Sequence, residues 1–317
     1  EKDTPLVDWR SDIAVLPDDP EERALKQQLA SDPESVSLMV KLGYLYFLHG
    51  KYDDSQAVFE DALSLDANHQ GVLQGLGNVY RFRGAYEESE TLWKKAIALA
   101  PDNAQLYVEL GKLYRNWQKP ELAEAAFQQA IAINPEDDLL YSYGLGYFYR
   151  DIGKLDLALQ SFEKALSLNP SAFNYAGMGD IYRELDRYEE SEAMFEKAIA
   201  LDPKTEAYMG LGYLYMRWGK PDLAEVAFKE YLAKLRPKSE VYDGLGYIYF
   251  NEQRYANALE VFKKSRDLNP SLGGNLGMAK VYAAQGEHAL ARKALEAELQ
   301  IHPDSMQANQ LLMELQD

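Results

Sequence analysis

The chain has 317 residues, with 33 Lys or Arg against 51 Asp or Glu and a formal net charge of −18. Charge of that sign opposes the attraction that dominates binding to nucleic acid or anionic lipid, and so disfavours both as general partners. There is no cysteine, which removes disulfides, thiolate metal sites and cysteine nucleophiles.

Residues 1–19 differ in pattern from the rest of the chain. Leu6, Val7, Trp9, Ile13, Val15 and Leu16 make this stretch too apolar for a purely solvated arm. It reads either as a lid on the first helices or as a segment that docks on a partner. The chain begins at Glu1 without methionine, which reads as removal of a targeting segment or as a trimmed piece. The missing thiols lean slightly towards a bacterial periplasm or envelope, with cytoplasm the alternative. No apolar run is long enough to span a bilayer. Pro20, followed by Glu21 and Glu22, opens a helix in a capping segment over 20–35.

From Val36 onward one unit recurs, beginning again at Gln70, Ala104, Leu139, Ala172, Thr205, Ser239 and Leu272. Apolar residues in each unit recur at helical spacing in two stretches, which predicts two amphipathic helices. A residue such as Gly153 ends the first helix, and a proline such as Pro101, Pro170 or Pro270 closes the second. Pro120 and Pro221 fall where a second helix starts, a place that tolerates proline.

The eighth place of the unit is glycine in seven units, from Gly43 to Gly246, and Ala279 in the last; the eleventh is always tyrosine, as at Tyr46, Tyr149 and Tyr282. In the second helix a small residue, such as Ser55, Ala123 or Ala224, precedes Phe59, Phe127 or Phe228 by four. Tyr231, Ser265 and Glu298 depart from the small residue expected late in that helix. Small then large at helical spacing is a packing code, by which a glycine lets two helices approach and an aromatic fills the groove between them. The repeats span 36–305, and Ser305 is placed to cap a last helix within 306–317.

These motifs resemble the tetratricopeptide repeat family over 36–305. The resemblance implies an all-α fold, a right-handed superhelix (solenoid) of tandem hairpins. It also implies a non-catalytic scaffold or adaptor whose concave groove, lined by the first helices, holds an extended peptide or a helix of another protein. A chaperone-type carboxylate clamp is disfavoured, because Val40, Tyr44 and Gly75 stand where that clamp wants polar residues.

Catalysis would need clustered reactive groups, and His49, His69, His288 and His302 are scattered. The Gly-x-Gly triplets lie within helices and lack the context of a phosphate loop. No enzyme activity, metal or cofactor is therefore expected; a catalytic domain outside this sequence stays open. Binding is expected on the exposed stripe of the first helices. Arg81, Arg115, Arg150 and Arg183 hold its twelfth place in four consecutive units and suit an acidic or C-terminal peptide. Asp151, Asp180 and Glu184 stand close enough in sequence to pair with them instead, and both readings stay open.

Glycine also recurs at the sixth place, as at Gly75, Gly144 and Gly210. Something must approach the backbone there. Rings of Tyr143, Tyr147, Tyr213 and Tyr247 could fold over the glycines of the next hairpin, or the glycines could shape a ligand groove. The alternative function is binding or export of an envelope polysaccharide, with Tyr147, Tyr213 and Tyr247 stacking on sugar rings.

Overall fold

A computed structural model of the chain describes residues 19–315. The apolar N-terminal segment expected to act as a lid or docking arm lies outside the described residues, apart from Asp19. Asp19 caps α1 (Pro20–Ser31), its carboxylate accepting from the Glu21 amide at 2.8 Å.

The fold is all-α. The chain forms two compact units, 1–152 and 153–317. In the first, α1 packs on α2 (Val36–Leu48), which pairs with α3 (Tyr52–Leu65). Two more hairpins come next, α4 (Gln70–Arg83) with α5 (Tyr86–Leu99), and α6 (Ala104–Asn116) with α7 (Pro120–Ile133). A π-helical segment, Leu140–Gly146, then runs into α8 (Tyr147–Asp151).

The second unit opens with α9 (Leu155–Leu168). Its hairpins are α10 (Ala172–Glu184) with α11 (Tyr188–Leu201), α12 (Ala207–Arg217) with α13 (Pro221–Lys234), α14 (Ser239–Asn251) with α15 (Tyr255–Leu268), and α16 (Gly274–Ala284) with α17 (His288–Ile301). It ends in α18 (Met306–Glu314). Helices α12 and α16 start two residues later than Thr205 and Leu272, the starts expected from the repeat, because turns closed by Asp202 and Asn269 take up those residues.

Each hairpin bends through one left-handed residue. Gly50, Gly84, Gly219 and Gly286 have φ between 71° and 77°, and the next amide reaches back to the carbonyl of the eleventh-place tyrosine, as in Lys51 N–H to Tyr46 at 2.9 Å. This is the six-to-one closure that satisfies the orphan carbonyls of a helix end. Gln118, Asp186 and Gln253 hold the same conformation without being glycine, at φ 56°, 58° and 59°.

The core repeats one motif. Phe228 on α13 is fully buried, and its ring lies on Gly212 of its own hairpin and on Gly244 of the next. Phe59 sits likewise between Gly43 and Gly75, Phe127 between Gly111 and Gly144, Phe195 between Gly179 and Gly210, and Phe262 between Gly246 and Gly277. A Cβ at Gly244 would stand 2.6 Å from the Phe228 ring, closer than any real contact. Two glycines in a helix cost about 2 kcal/mol relative to alanine, and burying one phenylalanine returns about 1.5–3 kcal/mol. The exchange is favourable only because each ring serves two helices at once.

Polar clasps join the same elements. Within hairpins, the buried hydroxyls of Ser55, Ser89 and Ser191 donate to the carbonyls of Gly43, Gly77 and Gly179 at 2.7–2.8 Å. Between hairpins, the eleventh-place tyrosine donates to a glutamate on the preceding second helix, as in Tyr80 to Glu60 at 3.0 Å, Tyr149 to Glu124 at 2.8 Å and Tyr249 to Glu225 at 2.9 Å. Burial and the neighbouring carboxylate push the Tyr80 and Tyr149 phenols up to about 12. Glu225 also accepts from Arg254 at 2.8 Å and pairs with Lys229 at 2.6 Å. Arg254, opposed by burial but joined by Lys229 and Tyr249, holds its carboxyl down at about 2.

Two outcomes are expected from this packing. Gly244→Ala gains helix propensity but drives a methyl into the Phe228 ring, so chemical denaturation should show a net loss of about 1–3 kcal/mol; a neutral or stabilised variant would refute the motif. Because the folded pKa of Glu225 lies below the ordinary carboxylate value, its contribution is complete above about pH 5 and lost as pH falls towards 2. Glu225→Gln should therefore lower the urea midpoint at neutral pH and flatten its decline in acid, and an unchanged acid slope would rule the clasp out.

Candidate functional site

The first helices of successive hairpins lie side by side. In the first unit α2 touches α4, and α6 touches the π-helical segment; in the second, α10 touches α12, α12 touches α14 and α14 touches α16. The residues of the stripe expected to carry function fall into distinct environments.

Arg81 is nearly buried, with 12% of its side chain exposed. It donates to Asn78 at 2.8 Å and pairs with Glu109 at 3.6 Å. Glu109 also binds Lys112 at 2.7 Å. Arg183 pairs with Asp180 at 2.8 Å and donates to the Gly210 carbonyl at 3.4 Å. These two arginines are engaged within the protein. Arg115 has Asp151 as its ion-pair partner at 3.6 Å, and Arg150 approaches the same carboxylate at 3.7 Å. Those separations, like the 3.6 Å between Arg81 and Glu109, exceed the roughly 2.7–2.9 Å of a charge-assisted hydrogen bond.

The tyrosines divide in the same way. Tyr213 sets its edge on Phe228 with ring centroids 5.2 Å apart and donates to the Glu240 carbonyl at 2.8 Å. Burial, then Glu240 and Asp243, push its phenol up to about 12. Tyr247 meets Phe262 in the same edge-on manner at 5.2 Å, with the Lys280 ammonium 5.3 Å over its ring. Tyr143 instead exposes 48% of its surface. It meets Tyr147 edge-on at 6.0 Å under the Lys112 ammonium, and Arg150 covers Tyr147 at 5.0 Å.

The sixth-place glycines correct an expectation. They lie under the phenylalanine of the preceding hairpin, not under groove tyrosines and not beneath an open ligand groove. Tyr213 and Tyr247 contribute at one remove, as edges on Phe228 and Phe262.

The π-helical segment explains why Tyr143 stands out. Gly146 follows Gly111 by 35 residues, whereas Gly77 follows Gly43 and Gly111 follows Gly77 by 34. The extra residue is absorbed as π-turns, a feature frequent at functional sites. Gly144, inside the segment, has the loosest contact of its class, with a Cβ placed 3.4 Å from Phe127. Sequence reading passed over this longer spacing. It also passed over Glu109, which stands at the sixth place where most units have glycine.

Among the described residues no group of three or more His, Asp or Glu is placed to hold a metal ion. No described helix is long and apolar enough to cross a membrane.

Antiparallel hairpins whose aromatic residues lock onto glycines of the neighbouring hairpin define a helical-repeat protein, a class whose general work is protein interaction. Sequence models described as tetratricopeptide repeat match residues 36–69, 104–137, 138–204, 177–240 and 239–272, and one described as TPR repeat matches 77–116. The chain belongs to the tetratricopeptide repeat family. No curated protein matches it in sequence.

Among solved structures it is similar to a tetratricopeptide repeat protein from Parabacteroides merdae, with TM-score 0.61 and 20% identity over 78% of this chain and 98% of the other. It is similar also to PilW, a type IV pilus biogenesis factor, with TM-score 0.57 and 25% identity over 66% and 98%. Human IFIT1, as a dimer with m7Gppp-AAAA, aligns with TM-score 0.60 and 18% identity over 93% and 76%. Repeats of this family form, in general, a non-catalytic protein-interaction fold.

If Arg81 is held for structure, removing its counter-charge leaves a nearly buried cation with the neutral Asn78 as its hydrogen-bond partner. Glu109→Gln should destabilise the chain by about 2–4 kcal/mol in chemical denaturation. A change within error would return Arg81 to the pool of residues available for binding.

Proposed function

We propose that the chain is a non-catalytic scaffold that holds an extended segment or a helix of a partner protein on the first-helix face of residues 1–152. Its first contacts are Tyr143, Tyr147, Arg115 and Arg150. The observation that carries this reading is the exposure of Tyr143, which stands with Tyr147 beneath the cations of Lys112 and Arg150. A rigid amphipathic ring next to a guanidinium is the residue pairing that dominates binding energy at many protein interfaces. Arg81, Arg183, Tyr213 and Tyr247 serve packing in this reading.

Membership of the tetratricopeptide repeat family, whose general work is protein interaction, supports a scaffold role. No observation favours polysaccharide stacking. Tyr247 already carries the Lys280 ammonium over its ring, and Tyr213 is engaged through its hydroxyl and its edge.

The test compares capture by the wild-type chain with capture by Tyr143→Ala and by Arg115→Glu, each checked for unchanged helical content by circular dichroism. A protein captured by wild type should be bound at least about tenfold more weakly by either variant. Equal binding by all three would reject this placement of the site.

A further inference from the structure

Where α6 and α8 end, a cavity of about 560 Å³ opens, within the range of about 300–1,000 Å³ that binding pockets occupy. Its walls are apolar, charged and, at Asn116 and Gln118, polar without charge. Pro120, the fully buried ring of Phe148 and the exposed side chain of Ile152 are apolar. Arg115 and Asp151 are charged.

Among the described residues Arg115 makes no hydrogen bond, and its ion pair is the 3.6 Å approach to Asp151. A guanidinium carries five donors in a planar fork that matches a carboxylate. Asp151 is at the same time approached by Arg150 at 3.7 Å, so the carboxylate that faces Arg115 is shared. The net charge of −18 acts weakly here, because salt screens exposed charges beyond about 8–10 Å. The wall thus offers an acidic group what Asp151 alone does not complete, next to a hollow that favours hydrocarbon.

We propose that this cavity is a specificity pocket for an acidic partner segment. It takes an aliphatic or aromatic side chain, while Arg115 binds the side-chain carboxylate of an Asp or Glu two positions away. The spacing comes from extended backbone, in which alternate side chains face the same way. Asp151 keeps the guanidinium oriented, and the Ile152 side chain selects for the apolar residue. This inference rests on the scaffold reading and adds to it the chemistry of the sequence that is held.

The experiment selects N-acetylated, C-amidated heptapeptides from a random library against the full chain, so that no terminal carboxylate contributes. The selected peptides should carry Asp or Glu two positions from an apolar residue. Exchanging that acid for its amide should weaken binding about tenfold on wild type and leave it unchanged on Arg115→Gln. Exchanging the apolar residue for Ala should matter on wild type and not on Ile152→Asn. Should the acid exchange cost as much on Arg115→Gln as on wild type, or should the selected peptides show no acid preference, the pocket assignment is overturned while the scaffold reading stands. Selected peptides whose binding ignores Tyr143→Ala would overturn the placement of the scaffold site, and a library yielding no binders would overturn both.

Discussion

Everything in this protein depends on a phenylalanine ring held between two glycines. Phe59, Phe127, Phe195, Phe228 and Phe262 each lie on a glycine of their own hairpin and on a glycine of the next. One side chain therefore closes a hairpin and also joins it to its neighbour. No hairpin here can bury its apolar stripe alone, and stability in such arrays is a sum of internal and nearest-neighbour terms. The glycines lower intrinsic helix stability, so the helices persist because they are packed.

Electrostatics complete this arrangement in a less obvious way. The chain carries a large excess of acid, yet many of its carboxylates are not idle surface charge. Glu60, Glu124 and Glu225 receive the hydroxyls of tyrosines on the next hairpin, Glu109 neutralises a nearly buried arginine, and Asp180 holds Arg183. The regular arginine row is thus divided. Arg81 and Arg183 are held by close contacts inside the protein, to Asn78 and to Asp180 and the Gly210 carbonyl; beside the π-helical segment, Arg115 and Arg150 approach one aspartate.

That division coincides with the one place where the repeat runs long in the first unit. An added residue between Gly111 and Gly146 would rotate every later side chain by roughly a third of a turn if it were built as α-helix. Absorbed as π-turns, it returns Gly146 and Tyr149 to buried places, and Tyr143 stands exposed within the same segment. The local irregularity and the exposed aromatic surface lie in the same segment.

The repeat, its hairpins, their turn residues and the family were legible in the sequence, because glycine, tyrosine and phenylalanine recur at spacings that only helical packing explains. The arginine row was legible as a row. What each arginine does was not, since that is decided by side chains from other helices. Arg81 meets Glu109 across 28 positions, and Arg115 meets Asp151 across 36. The role of the sixth-place glycines was misjudged for the same reason, the ring they accommodate coming from the preceding hairpin. Periodicity records which face of a helix is turned inward; the identity of the atom that meets it is set only when the hairpins stack.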